Sequence, residues 1–225
     1  ISTDQMNYEL RQQLYDHHGW DGALPIVGTV TIESGVVIGS HARYQPAFRI
    51  GNLPEGSQLV LENLGTIIGA GGRGGDAFES GGANVDFESG EEGGIGVEIE
   101  YQSPNVELEI DNASGTIAGG GGGGAAGGSE GIQTQGVGGG GGAGHEPGLP
   151  GEADHSLDDW EDGDPGTLEQ GGYGGDLGLL EAGRGGAPGQ PGKPANAPES
   201  GPPGQPGMAI VGTSAIDWID QGDVL

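Results

Sequence analysis

The chain has 225 residues, of which 55 are glycine and 14 proline, while Leu, Ile, Val and Phe together supply only 44. This lies near the border at which a highly charged chain stays unfolded, and it argues against an ordinary globular enzyme. Thirty-four acidic residues against six Lys and Arg give a net charge of −28, which repels nucleic-acid phosphates and anionic lipid headgroups, and zero Cys excludes disulfides and thiol chemistry.

The apolar residues are unevenly spread. Residues 24–117 hold 27 of the 44, whereas 118–207 hold 8. Only the first stretch can build a side-chain core. No apolar run approaches the ~18 residues of a membrane span, and no basic-then-apolar leader opens the chain, so membrane insertion is not expected. A start at Ile1 rather than Met is expected of a processed product or the end of something longer.

In chain order, Asn7–Asp16 places Leu10 and Leu14 four apart, with Asp4 as a candidate cap and Gly19 just beyond, which predicts a short amphipathic helix. Tyr8, Leu10, Leu14 and Trp20 are expected to pack on the next segment of the chain or on a neighbouring subunit. Residues 1–24 read as a short helical attachment segment.

From Pro25 the pattern turns β-branched and repeats: Val30 to Gly39, Leu59 to Gly69 and Leu108 to Gly119, with a fainter copy from Ile219 to Leu225. Each copy is a strand with apolar residues two apart, an acidic and a small polar residue, a glycine turn and a second short strand. The 49-residue step from Leu59 to Leu108 is too long for a regular solenoid. The copies read as β-rungs stacked on one another with excursions inserted between them. Residues 25–118 form this rung region, and 208–225 its closing strands.

Glycine fills the excursions: Gly69 to Gly75, Gly119 to Gly124 and Gly138 to Gly142, with a threefold register at 183, 186, 189, 192, 201, 204 and 207 broken at Ala195 and Pro198. Ordering such tracts requires that nearly every N–H and C=O find a partner in a neighbouring tract. The three-residue-per-turn extended helix, with its ~3.1 Å rise, directs all of its backbone bonds sideways. Residues 119–207 are therefore expected to be a packed bundle of polyglycine and polyproline II helices, with a collagen-like trimer or a flexible linker as alternatives. The fold class is mostly β and irregular, with one short helix.

A glycine slab has no side chains with which to recognise anything, so recognition falls to the inserts Asp76–Glu92, Ser129–Gln135, His145–Glu169, Tyr173–Glu181 and Lys193–Ser200. Phe78, Phe87, Trp160, Tyr173, Leu177 and Leu179 are the candidate contact residues. For the rings, pinning a loop onto the slab is an equally good reading. His145–Glu169 carries nine acids and no Lys or Arg, which invites calcium, but Trp160 occupies the third position of the EF-hand spacing that Asp158, Asp162 and Gly163 would otherwise fit. Solvated charge is the simpler account. Gly192-Lys193 lacks the flanks of a phosphate loop, His17-His18 lacks an i,i+4 zinc partner, and no carboxylate pair is singled out for glycoside hydrolysis. No catalytic residue, metal site or cofactor is expected.

The run Gln58 to Gly75, the later Asp111 to Gly121 and the closing Ala215-Ile216-Asp217-Trp218-Ile219 together resemble the glycine-rich tail-fibre tip adhesins of T-even-like bacteriophages, over roughly Trp20 to Leu225. The resemblance implies a sandwich of polyglycine II helices whose variable loops bind a bacterial outer-membrane protein or surface polysaccharide. It implies a place at the distal tail fibre or tail tip of the virion, acting outside the host cell, with other phage tail proteins as partners. A homotrimer stays open, as do a purely structural fibre-tip domain and a surface-polysaccharide depolymerase. An ice-binding glycine bundle fits the irregular, charged inserts poorly.

Overall fold

The structure is a computed structural model and describes residues 1–81, 84–129, 135–153, 160–212 and 216–225. Its first part is a stack of β-rungs. One rung is β3 (Val27–Ile32), β4 (Val37–Gly39) and β5 (Phe48–Ile50), and the next is β6 (Gln58–Asn63), β7 (Thr66–Ile68) and β10 (Val97–Ile99). A third consists of β11 (Glu107–Asp111), β12 (Thr116–Ala118) and β17 (Ile210–Val211). The stack is completed by β1 (Gln5–Met6) and β2 (Tyr8–Glu9) at one end and by β18 (Asp217–Asp220) and β19 (Asp223–Val224) at the other. Like strands pair in parallel into three sheets, ordered β18-β11-β6-β3, β1-β4-β7-β12-β19 and β17-β10-β5-β2.

Alternation decides what faces inward. Leu59, Leu61, Leu108, Ile110, Ile67, Ile117, Phe48, Ile50, Val97 and Ile99 are buried, and the residues between them on the long strands face outward. The 49-residue step is the register itself, with Leu108 opposite Leu59 and Ile110 opposite Leu61. Between the first two rungs the repeat slips, so that Val30 lies opposite Leu61 rather than Leu59 and Gly39 opposite Ile68 rather than Gly69. The acidic and small polar residues at each corner have separate tasks. Asn63 is fully buried and donates from Nδ2 to Asn112 Oδ1 at 2.7 Å and to the Thr116 carbonyl at 3.2 Å, while its Oδ1 accepts the Gly65 N–H. Asn112 in turn donates to the Gln221 and Asp223 carbonyls. Two stacked amides thus close the corners of successive rungs where no strand ladder reaches. On another face Arg49 lies between Glu9 and Glu98 of the adjacent rungs, at 2.8 and 2.6 Å.

Within the first 24 residues the expected helix is preceded by two short strands of the stack. Strand β2 puts Tyr8 on Phe48, with ring centroids 5.1 Å apart, and both β1 and β2 belong to the stack. Helix α1 spans Leu10–His18, starting three residues later than expected because Tyr8 and Glu9 are taken by the strand. Asp4 does not cap it; its carboxylate accepts the Val37 N–H. Gly19 does close it, in the left-handed conformation at φ 63°, which costs glycine nothing. Leu10 is buried in the core and Leu14 packs on it, whereas Trp20 packs on Tyr15 and under the Arg11 guanidinium.

Both long excursions leave the stack after a short-face strand, at Gly69 beyond β7 and Gly119 beyond β12, and return before β10 and β17. Among the described residues they hold ten extended glycine-rich tracts: 69–75, 88–94, 119–126, 138–144, 145–151, 161–167, 171–175, 182–187, 189–194 and 201–207. Tract 119–126 sets the bonding pattern. The N–H groups of Gly120, Gly121 and Gly122 donate to Gly94, Ala143 and Gln190 in three different tracts, and those of Gly123, Gly124 and Ala125 return to the same tracts at Glu91, Gly140 and Lys193. Its carbonyls accept, again with period three, from Gly207 and Gly204, from Gly72 and Gly75, and from Gly186 and Gly183. Six tracts therefore surround it. Tract 138–144 is ringed in the same way, and adjacency among the rest arranges the ten in rows of three, four and three.

This arrangement accounts for the composition position by position. In the two surrounded tracts every residue meets a neighbour, and every residue is Gly or Ala. Tracts 69–75 and 182–187 touch four neighbours each and leave one position in three open, taken by Arg73 and Arg184. Most edge tracts keep glycine mainly at every third position, as at Gly90 and Gly93, Gly148 and Gly151, or Gly201, Gly204 and Gly207, while the edge tract 171–175 keeps two in three around Tyr173. The collagen-like register from Gly183 is thus three separate tracts, folded back at 187–190 and at 195–200. Stack and bundle are joined by hydrogen bonds: the Ala70 N–H donates to the buried Ser40 hydroxyl, and the Leu225 carbonyl accepts the Gly119 N–H.

The prediction is positional. A Cβ at Gly121 would overlap the Gly186 carbonyl oxygen, so Gly121→Val is expected to destabilise by about 3 kcal/mol or more, whereas Gln205→Val, on the open position of an edge tract, should stay within about 0.5 kcal/mol. Denaturant unfolding of the two variants checks the contrast. Asn63→Ala, which strips partners from a buried amide, an N–H and a carbonyl, should cost about 2 kcal/mol or more by the same measurement.

Candidate functional site

The chain turns at both ends of the tracts. Next to the stack the turns are short, around 145, 167–170 and 187–190. At the far end the connections are longer, and their described residues are 76–81 and 84–87, 127–129 and 135–137, 152–153 and 160, 176–181, and 195–200. These described residues include seven acidic ones and no Lys or Arg.

The far end has local structure of its own. Strands β8 (Ala77–Gly81) and β9 (Asn84–Phe87) form a hairpin, while β13 (Gly127–Ser129), β14 (Gln135–Val137), β15 (Trp160–Glu161) and β16 (Glu199–Ser200) form a small sheet ordered β15-β14-β13-β16. Its centre is a glycine pair, Gly128 opposite Gly136. The Phe87 ring lies where a side chain on Gly128 would be, and the Trp160 ring where one on Gly136 would be. Ala77, Val85, Ala126 and Ala153 fill in around them. A second cluster holds Val137, Leu180 and Ala182, with Leu177 and Ala197 at its edge.

The six candidate contact residues therefore divide. Trp160 is buried and Phe87 half-buried, so these two rings pin the far-end segments to the bundle. Leu177 leans on the second cluster. Phe78 and Leu179 are exposed at the far end, Leu179 at 92%, since it sits at the tip of a turn in which Gly178 takes φ 84°. Tyr173 is exposed too, but lies within tract 171–175 on the flank of the bundle, stacked against the Arg184 guanidinium at 4.3 Å. Leu180, beside Leu179 in sequence, is the buried one of the pair, which the run Leu177 to Leu180 does not reveal.

The acidic insert 145–169 is not one loop. Residues 145–151 and 161–167 are tracts of the bundle, and Glu152, Ala153 and Trp160 are the described far-end residues between them. Asp154, Asp158 and Asp159, central to the calcium reading, lie outside the described residues, as do 130–134 of the insert Ser129–Gln135. Among the described residues no three His, Asp or Glu side chains converge on a point that could hold a metal ion. Electrostatics at the base of the far end centre on Arg73, which contacts Asp76 at 2.5 Å and Glu152 at 3.8 Å. Burial opposes its charge, but the hydrogen bond to Asp76 and the charges of Asp76, Glu152 and Glu91 outweigh that and hold it above its ordinary pKa. Asp76 spends its other carboxylate oxygen on the Glu152 N–H, so one residue ties two of the projecting segments together.

Trp160→Ala is expected to cost about 3–5 kcal/mol of stability and Leu179→Ala less than about 0.5. Because the buried Trp160 indole N–H has no hydrogen-bond partner among the described residues, Trp160→Phe should recover most of the loss. Thermal and denaturant unfolding of the three variants check this.

A family model described as phage tail fibre adhesin Gp38 matches residues 1–225, and the chain belongs to that family. The match includes the first nineteen residues, which lie outside the stretch that carries the sequence resemblance. Among solved structures the chain is similar to the crystal structure of the gp37-gp38 adhesin tip complex of the bacteriophage S16 long tail fiber, at 26% identity and a TM-score of 0.62, over all of this chain and 82% of that one. No curated protein matches. The chain is thus a receptor-binding protein of a phage tail-fibre tip, part of the virion and acting on the host surface from outside.

Proposed function

We propose that this phage tail fibre adhesin binds its host receptor with the five far-end segments of the glycine bundle, and that the β-stack faces the particle. The observation that carries the reading is the division of side chains. The bundle interior offers only backbone, while among the described residues Phe78, Leu177, Leu179 and the acidic Asp76, Asp86, Glu152, Asp176, Glu181 and Glu199 collect at the end remote from the stack. The ten tracts are polyglycine II helices in this account. The period-three destinations of their N–H groups are what a three-residue turn demands, and the result is a stiff platform for loops free to vary. Phe87 and Trp160 are its pins rather than contacts, and Tyr173 acts on the flank.

The receptor is a bacterial outer-membrane protein or surface polysaccharide, and an acidic tip favours a receptor face rich in Lys and Arg. At the other end, Leu24, Val27, Tyr101 and Ile219 leave apolar surface exposed on the stack, which fits docking on another tail-fibre protein. The similar solved structure, a complex of gp37 with gp38, supports that arrangement. The chain acts as a single tip protein rather than a homotrimer, because both long excursions fold back into one complete bundle. The role is adhesion without catalysis. Host lipopolysaccharide incubated with the protein is expected to release no oligosaccharide.

Leu179→Ala and Phe78→Ala should leave unfolding unchanged and lower adsorption to host cells. A central anchor would cost about 2 kcal/mol, roughly thirtyfold in affinity, and a rim contact much less. Adsorption of the wild-type protein should weaken as salt is raised. Unchanged adsorption after 76–87, 176–181 and 195–200 are all exchanged, in a protein shown to be folded, would place recognition elsewhere.

A further inference from the structure

Only six residues of this chain carry a permanent positive charge, and most of them are occupied. Arg43 pairs with Glu91, Arg49 with Glu9 and Glu98, and Arg73 with Asp76 and Glu152, while Arg11 lies over the Trp20 ring. Like Arg11, the two that remain, Arg184 and Lys193, form no ion pair among the described residues. Both line the same groove on the flank of the bundle, a hollow of about 260 Å³ shared with Gln170, Gln190, Ala187 and Pro191.

Arg184 is held in place there. Its Nε donates to the Gly171 carbonyl at 3.1 Å, an Nη donates to Gln170 Oε1 at 3.3 Å, and its guanidinium stacks on the exposed Tyr173 ring. A guanidinium fixed in plane presents its remaining N–H groups as a fork to a carboxylate or phosphate, and Lys193 adds a point charge. In a protein of net charge −28, two cations without acidic partners on one groove are the opposite of what solubility alone would place. The rest of the lining is neutral: two amides that can both donate and accept, and the small apolar surfaces of Ala187 and Pro191. The hollow lies below the ~300 Å³ at which drug-sized sites begin, which suits one or two rings rather than a long chain.

We propose that this groove is a second binding site, distinct from the far end, for an anionic sugar: a hexose-sized ring bearing a phosphate or a carboxylate. The charge meets Arg184 and Lys193, and the ring hydroxyls meet Gln170 and Gln190. The proposal does not rest on the far-end segments being the receptor site, because no residue of the groove belongs to them.

Ligand-observed NMR titration of the whole protein with glucose 6-phosphate, glucuronic acid, glucose and inorganic phosphate tests it. The two anionic sugars are expected to bind, glucose not measurably, and inorganic phosphate at least fivefold more weakly than glucose 6-phosphate. The phosphate and carboxylate arms show which anion is preferred. Lys193→Gln, at an exposed side chain with no ion-pair partner among the described residues, should weaken the anionic sugars about fivefold or more, and Arg184→Gln at least as much if folded. Exchange of the far-end segments should leave this binding unchanged. Binding that is equal in wild type and Lys193→Gln, no binding of either anionic sugar, or phosphate binding as well as the sugar phosphate would overturn the assignment.

Discussion

The structure depends on a single constraint: a buried backbone must satisfy its N–H and C=O groups, and in most of this chain no side-chain core offsets the cost of ordering it. The solution is to let each residue of a tract point its hydrogen bonds at a different neighbour. Gly120, Gly121 and Gly122 reach three tracts in turn, and the next three residues repeat the cycle. Close approach on every side is the result, and with it the exclusion of any side chain beyond a methyl. The Ala residues at 125, 126 and 143 mark how little room is left.

The β-stack solves the other half of the problem. A bundle of backbone alone has nothing to set its register or decide which tract lies beside which. The rungs supply a side-chain core and fix four tract ends, at Gly69, Gly94, Gly119 and Gly207, in relation to one another. The same economy operates at the far end, where Gly128 and Gly136 leave space that Phe87 and Trp160 fill, so that two rings hold a sheet which could not otherwise pack.

Much of this is written in the sequence because the number of buried faces shows directly as the glycine period. Continuous Gly and Ala mark the surrounded tracts and two in three the four-neighbour tracts, while edge tracts fall to one in three except at 171–175, which keeps two in three. The rungs are legible for a similar reason, since Leu59 and Leu108 repeat the same alternation. The start of the chain is not, because strands of two residues such as Tyr8–Glu9 carry no period, and a helix pattern beside them claims their residues. The projecting segments are also poorly legible. Trp160 and Phe87 look like exposed rings among polar residues, and only the glycines they cover, far away in sequence, show that they are pins. Neither Leu179 nor Leu180 announces which is buried. The acidic insert 145–169 hides two tracts because only two glycines mark each one, Gly148 and Gly151 around Leu149-Pro150 and Gly163 and Gly166 around Asp164-Pro165, among many acidic residues.

Amide hydrogen exchange resolved along the glycine tracts tests the central claim most directly. If backbone bonds to six neighbours order the bundle, amides in 119–126 and 138–144 should be the most protected in the second half of the chain, comparable to those of β6 and β11, with edge tracts exchanging faster. Exchange of those two tracts at the rate of an unstructured glycine chain, while the β-stack remains protected, would contradict the account.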